Sequence, residues 1–202
     1  MPYIDGDNLS AVKDTLSDQE RNTYGTQLGA ATAELNSIRG PAFGPLDGSG
    51  RRSWRETFLA MVEDVLGDGE RHDVDLGWDY DTVRAVVSDH ADCLDEVTQP
   101  RFVEWDLWDG NVVVRDGRIV GVLDHERAFY GDPLIEHGFN AVELPAFGDP
   151  TAFLNGYGKT TFTAKERRRR QLYCVHLALI MTIETVYREL TDPQPYDWAR
   201  AR

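Results

Sequence analysis

Three side chains between positions 106 and 124 have the types and spacing to do chemistry: Asp106, Asn111 and Asp124. Asp106 follows Phe102-Val103-Glu104-Trp105, Asn111 ends Leu107-Trp108-Asp109-Gly110-Asn111, and Asp124 closes Gly121-Val122-Leu123. Transfer of a phosphoryl group to a hydroxyl calls for such a set. One carboxylate orients the acceptor hydroxyl and takes its proton, while an amide oxygen and a second carboxylate hold Mg²⁺ on the phosphates of ATP. Mg²⁺ prefers hard oxygen donors and keeps several waters, so one Asn and one Asp suffice beside the phosphates. Two carboxylates near a metal could also serve a hydrolase or nuclease, but no Ser-His pair and no His-rich cluster accompanies them. His125, His137 and His176 share no ligand spacing and are expected to be hydrogen-bonding or core residues rather than zinc ligands.

Several elements must position this set. Residues 101–104 and 111–114 read as short strands, Asp116-Gly117 as the turn of a hairpin, and 119–123 as the returning strand. Ser17 to Glu20 reads as a capping box, with Tyr24, Leu28, Ala31 and Leu35 following at helical spacing. Ser53 to Glu56 reads as a second box, opening an apolar stripe of Phe58, Met61, Val62, Val65 and Leu66 that Gly67 and Gly69 should end. A third helix is expected over 80–97, with Val83, Val86, Val87, Leu94 and Val97 inward. Asp132-Pro133 reads as an N-cap followed by proline at the first helical position. A long final helix should run from about 164 to about 190, with the basic run 167–170 on a solvated face. Trp105 and Trp108 are expected to be buried against that helix rather than stacked on a substrate. The pattern is α+β, mainly α, with a small β-hairpin insertion carrying the catalytic loop.

The Asp-x4-Asn spacing equals that of the protein-kinase catalytic loop, a weak signal alone because Asp and Asn are common in loops. The wider pattern is more specific: Asp106-Leu107-Trp108-x-Gly110-Asn111, a Val-rich strand, Asp116-Gly117, Gly121-Val122-Leu123-Asp124-x-Glu126, then Gly131-Asp132-Pro133. Residues 101–134 resemble the aminoglycoside phosphotransferase and choline kinase superfamily, whose hallmark is His-Gly-Asp-Leu-x-x-x-Asn followed by Ile-Asp-Trp-Glu and Gly-Asp-Pro. Trp108-Asp109-Gly110-Asn111 is also similar to the fructosamine-kinase branch. The resemblance extends to Tyr3-Ile4-Asp5-Gly6-Asp7-Asn8-Leu9, like the hinge exit of these enzymes, and to Leu35-Asn36-Ser37-Ile38, like their Leu-His-x-Ile segment.

This resemblance implies a protein-kinase-like C-terminal lobe spanning 1–202, with 101–126 as its catalytic and metal-binding segment. It implies Asp106 as catalytic base, Asn111 and Asp124 as Mg²⁺ ligands at the nucleotide, Glu126 as a supporting carboxylate and Asp132 as a helix cap. ATP would be the co-substrate and a small-molecule hydroxyl the acceptor, its identity open. Two departures stand out. Glu104 and Trp105 occupy the family's His and Gly positions. Glu104 could take over a structural hydrogen-bonding role, and Trp105 must find space where glycine is usual. The sequence also begins at the hinge, without the β lobe whose Lys grips the phosphates, and Lys13 is poorly placed for that job. A late start, a truncation or a partner chain supplying that lobe would each account for this. A non-catalytic binding or regulatory remnant is the alternative reading.

Composition narrows the remaining classes. At 202 residues with 41% hydrophobic content, the chain can bury a real core and is not disordered. A net charge of -14 repels phosphate backbones and argues against nucleic acid as partner. Asp outnumbers Glu, and Arg far exceeds the three lysines, a balance that suggests adaptation to high salt more than a cationic substrate. No apolar run approaches a membrane span, and no signal peptide is visible. Cys93 and Cys174 form no CxxC, so free thiols in a reducing cytoplasm are expected.

Overall fold

The structure, a computed structural model, describes residues 3–137 and 149–187. Its elements run β1 (Asp7–Asn8), α1 (Leu9–Val12), α2 (Asp18–Leu35), β2 (Gly44–Pro45), α3 (Trp54–Arg71), α4 (Tyr80–Asp89), β3 (Arg101–Val103), β4 (Val112–Arg115), β5 (Arg118–Val122), β6 (Phe129–Gly131), α5 (Thr151–Tyr157) and α6 (Ala164–Tyr187). Short 3-10 turns join several of them. The chain divides into two units, Met1–Gly50 with Gln99–Phe162, and Arg51–Thr98 with Thr163–Arg202.

The first unit holds both sheets. Asp116 and Gly117 both have positive φ, 51° and 75°, as a two-residue type I′ turn demands. They join β4 to β5 in the expected hairpin, Val112 opposite Val122 and Arg115 opposite Arg118. β1 adds to the other edge of β4, giving the order β1-β4-β5. The strand expected at 101–104 lies outside this hairpin. It is β3, and it belongs to a second antiparallel sheet of order β2-β6-β3. The helix expected after Ser17 forms as α2, and its capping box is complete: Ser17 Oγ accepts from Glu20 N–H, and the Glu20 carboxylate accepts from Ser17 N–H at 2.8 Å. Leu9, Tyr24, Leu28, Leu107, Val112, Val114 and Phe153 form one buried cluster. Leu107 thereby anchors the candidate catalytic loop in the core.

The second unit is helical and corrects three expectations. Ser53 Oγ accepts from Glu56 N–H at 3.3 Å and starts α3, but α3 passes through Gly67 and Gly69 to Arg71. Gly69 answers a packing demand instead: a Cβ there would lie 2.5 Å from the Tyr80 hydroxyl and 2.9 Å from Ile183 Cδ1. The helix expected over 80–97 stops at Asp89 and continues as a 3-10 turn, Ala91–Glu96. A 3-10 turn eclipses residues three apart, so Ala91 and Leu94 are buried together; Val86, on α4 and expected inward, is exposed. Arg169 Nη1 donates to the Cys93 carbonyl at 3.2 Å and to the Glu96 carboxylate at 2.8 Å. One of the four arginines at 167–170 is therefore buried rather than solvated. The final helix begins at Ala164 as expected and is described to Tyr187; its expected end near Leu190 lies outside the described residues. Trp54, Phe58, Tyr173 and His176 make an aromatic cluster, with Trp54 Nε1 donating to the Tyr173 hydroxyl at 2.7 Å.

Candidate active site

The chain leaves one sheet at Val103, crosses to β4 through residues 104–111, and returns from β5 to β6 through residues 123–128. Asp106 and Asn111 lie on the first crossing and Asp124 on the second. Each crossing contains a non-glycine residue in left-handed conformation: Trp105 at φ 68° and Asp124 at φ 65°. Such a backbone costs about 1–2 kcal/mol for an L residue and persists only where its surroundings enforce it. At Trp105 the enforcement is visible. Asp106 N–H donates to the Glu104 carbonyl at 3.0 Å, closing a three-residue turn around it. The indole is buried, with the Arg127 guanidinium 5.4 Å from its ring centroid. Trp105 thus takes the backbone conformation that glycine favours and finds its space in the core.

Glu136 holds the start of the first crossing. Its carboxylate is buried and accepts from the backbone N–H of Glu104 at 2.8 Å and of Trp105 at 2.6 Å. Burial pushes its carboxyl up to about 7, against the downward pull of those two amides. Asp132 Oδ1 accepts from Leu134 N–H at 3.1 Å and caps the Pro133–Glu136 turn that carries Glu136, as the Asp-Pro pair predicts. Asn36, just past the end of α2, donates to the Phe102 carbonyl at 2.8 Å and accepts from the Tyr157 hydroxyl at 2.8 Å. Neither Glu136 nor Asn36 was singled out as a site residue from sequence. The available signal was a Glu inside the apolar run Pro133-Leu134-Ile135, where a charge needs partners.

Asn111 ties the two crossings together. Its Nδ2 donates to the Asp106 carbonyl at 2.8 Å, and its own carbonyl accepts from Leu123 N–H at 2.8 Å. That second bond extends the hairpin by one pair, so Asn111 lies across from the residue before Asp124. With the amide nitrogen committed to Asp106, the amide oxygen is the atom left for a ligand. Asn111 is buried, Asp106 half-buried, and Asp124, His125 and Glu126 exposed. Glu104 is buried, and its Oε1 meets His125 Nδ1 at 2.5 Å. Burial pushes the Glu104 carboxyl up, His125 pulls it down, and Asp106 and Asp124 add to the rise. Carboxylates from both crossings therefore act on one buried group.

The remaining expected residues fall around this core. Trp108 is 47% exposed, not buried, because its ring lies over Gly110, where a Cβ would come within 2.3 Å of it. Asn8 Nδ2 donates to the Gly110 carbonyl at 2.6 Å, so β1 braces the loop. Lys13 pairs with Asp109. Of the expected local histidines, His125 bonds to Glu104, His137 packs among Phe153, Tyr157 and Phe162, and His176 sits in the second unit's aromatic cluster. A hollow of about 470 Å³ lined by Ser17, Glu20, Tyr24 and Gly117 includes none of the site residues.

Among the described residues no three His, Cys, Asp or Glu side chains form a cage able to hold a metal by themselves. Asn111 and Asp124, on the two crossings, each carry a hard oxygen donor. That is a partial set, chemically suited to Mg²⁺ when phosphate oxygens and water complete the shell. No helix among the described residues is long and apolar enough to cross a membrane.

Residues 1–172 match the model of the phosphotransferase enzyme family. No curated protein matches the chain. Among solved structures, a candidate fructosamine-3-kinase from Haemophilus somnus 129PT is 18% identical, with a TM-score of 0.70 over 98% of this chain and 64% of its own. A thermostable mutant of aminoglycoside phosphotransferase APH(4)-Ia, in ternary complex with AMP-PNP and hygromycin B, is 22% identical, with a TM-score of 0.61 over 98% of this chain and 67% of its own. Macrolide 2'-phosphotransferase MphH from Brachybacterium faecium is 17% identical, with a TM-score of 0.54 over 92% of this chain and 60% of its own. The chain thus spans about two thirds or less of these proteins. At such identities what it shares with them is the kinase-like phosphotransferase fold.

Proposed function

The chain belongs to the phosphotransferase enzyme family, and on that premise we propose that it is the catalytic portion of an ATP-dependent small-molecule kinase, transferring the γ-phosphoryl group to a hydroxyl. Residues 1–202 correspond in this reading to a kinase-like C-terminal lobe, and 101–126 to its catalytic and metal-binding segment. The supporting observation is Asn111, hydrogen-bonded through its side chain to Asp106 and through its carbonyl to the residue before Asp124. The AMP-PNP and hygromycin B held by one structural relative support a nucleotide donor and a small-molecule acceptor.

In this mechanism Asp106 accepts the proton of the acceptor hydroxyl as its oxygen forms the new bond to the γ-phosphorus and the bond to ADP breaks. Asn111 and Asp124 would supply oxygen ligands for Mg²⁺, which when bound would neutralise charge on the phosphates. Glu136 holds the backbone ahead of Asp106, so the base is oriented before substrate arrives.

Asp106→Asn should abolish ATP turnover while leaving the circular-dichroism spectrum and melting temperature unchanged. Turnover at the unsubstituted rate would refute the assignment. Lys13, which reaches the loop in space, is already paired with Asp109, and this favours weak nucleotide affinity in the isolated chain. Calorimetric titration with Mg-ATP should accordingly give weak or undetectable binding; tight binding would contradict that expectation.

A further inference from the structure

Glu104 is held from both ends. Its N–H is bonded to Glu136, and its side chain, only 2% exposed, reaches His125 on the other crossing at 2.5 Å. Its second carboxylate oxygen, Oε2, is buried without a hydrogen-bond partner. A buried carboxylate is expensive to keep, more so with Asp106 and Asp124 close enough to raise its pKa. An apolar side chain would fill the same place at lower cost, so the contact with His125 is what this carboxylate contributes. The pair also has leverage. Glu104 is separated from Asp106 only by the left-handed Trp105, and His125 directly follows the left-handed Asp124. One strained backbone thus separates Glu104 from Asp106, the other is that of Asp124 itself beside His125, and each would relax if released.

We propose that Glu104 and His125 form one positioning unit that fixes the Asp106 crossing against the Asp124 crossing. The proposal rests on the function given above, in which Asp106 and Asp124 are the groups to be positioned. His125→Phe keeps a ring at a position 60% exposed to solvent and removes the hydrogen-bonding nitrogen. In the full chain, amide exchange in this variant should rise on the order of tenfold at residues 104–107 as well as at 123–127, with α2 unchanged. A rise confined to residues 123–127 would overturn the proposal, because a purely local role loosens only its own crossing. Where ATP turnover is measured, His125→Phe should lower kcat about 10- to 100-fold and leave the nucleotide KM nearly unchanged. Glu104→Gln, which retains an acceptor for Nδ1, should lose less. Equal loss in both variants, or a change in KM alone, would count against the pair. If the unsubstituted protein turns over no ATP, the kinase reading fails, while the exchange measurement still decides whether the two crossings are tied.

Discussion

Asp124 carries two demands in one side chain. It supplies a carboxylate, and it holds a left-handed backbone at φ 65°. Asn tolerates that conformation and Ala does not, so the two demands can be separated. Asp124→Asn should unfold in urea within about 0.5 kcal/mol of the unsubstituted chain, and Asp124→Ala about 1 kcal/mol earlier. Both should lose turnover if the carboxylate is a metal ligand. At this scale residue identity was a poor guide to backbone. Nothing in the sequence says that Trp105 adopts φ 68°, because that value is enforced by Glu136, the Asp106 turn and the Arg127 stack, which come from distant or folded-back positions.

The elements that hold the site depend on one close helix approach within the first unit. Glycines on α2 and α5 allow it: a Cβ on Gly29 would lie 2.1 Å from the Phe153 carbonyl oxygen, and one on Gly156 would lie 1.9 Å from the Thr26 carbonyl oxygen. These obstacles are backbone, so they cannot rotate away. Gly29→Ala should therefore destabilise the chain by about 1–3 kcal/mol in urea unfolding, although alanine favours an isolated helix by up to ~1 kcal/mol. A neutral or stabilising result would show that the helices can part. Elements with local codes were legible: the Ser17 capping box, the Asp116-Gly117 turn and the Asp132-Pro133 cap each form where the residues predict. The misread ones lacked such a code. Gly67 and Gly69 read as a stop but lie within α3, and two-residue strands such as Asp7–Asn8 and Gly44–Pro45 are too short to show periodicity.

Across the whole molecule, two buried groups tilt stability with pH in opposite directions. In the first unit, Glu136 titrates at about 7 against an ordinary 4.5, so the folded state binds the extra proton between those values. Its contribution is fully present below about 4.5 and is lost as pH rises through 7. In the second unit, burial lowers His176 to about 4 from 6.5, so there the unfolded state binds the extra proton. Its contribution is present above 6.5 and is lost as pH falls towards 4. Each shift corresponds to roughly 3 kcal/mol at one end of its window. The stability of the native chain minus that of Glu136→Gln should fall between pH 4.5 and 7, and the difference against His176→Phe should rise between pH 4 and 6.5. Urea titrations at several pH values test both signs.

By itself the sequence determined the starts of α2, α3, α4 and α6, the hairpin and its turn, the family, and the spacing of Asp106, Asn111 and Asp124. These are written in short stretches, where capping, turn chemistry and motif spacing act between near neighbours. Only the tertiary structure decided that these residues lie on two crossings between separate sheets, that Glu136 and Asn36 support the loop from 30 or more residues away, and that Glu104 faces His125. Such contacts join positions far apart along the chain, and the charges they bury become affordable only once the fold has brought their partners together.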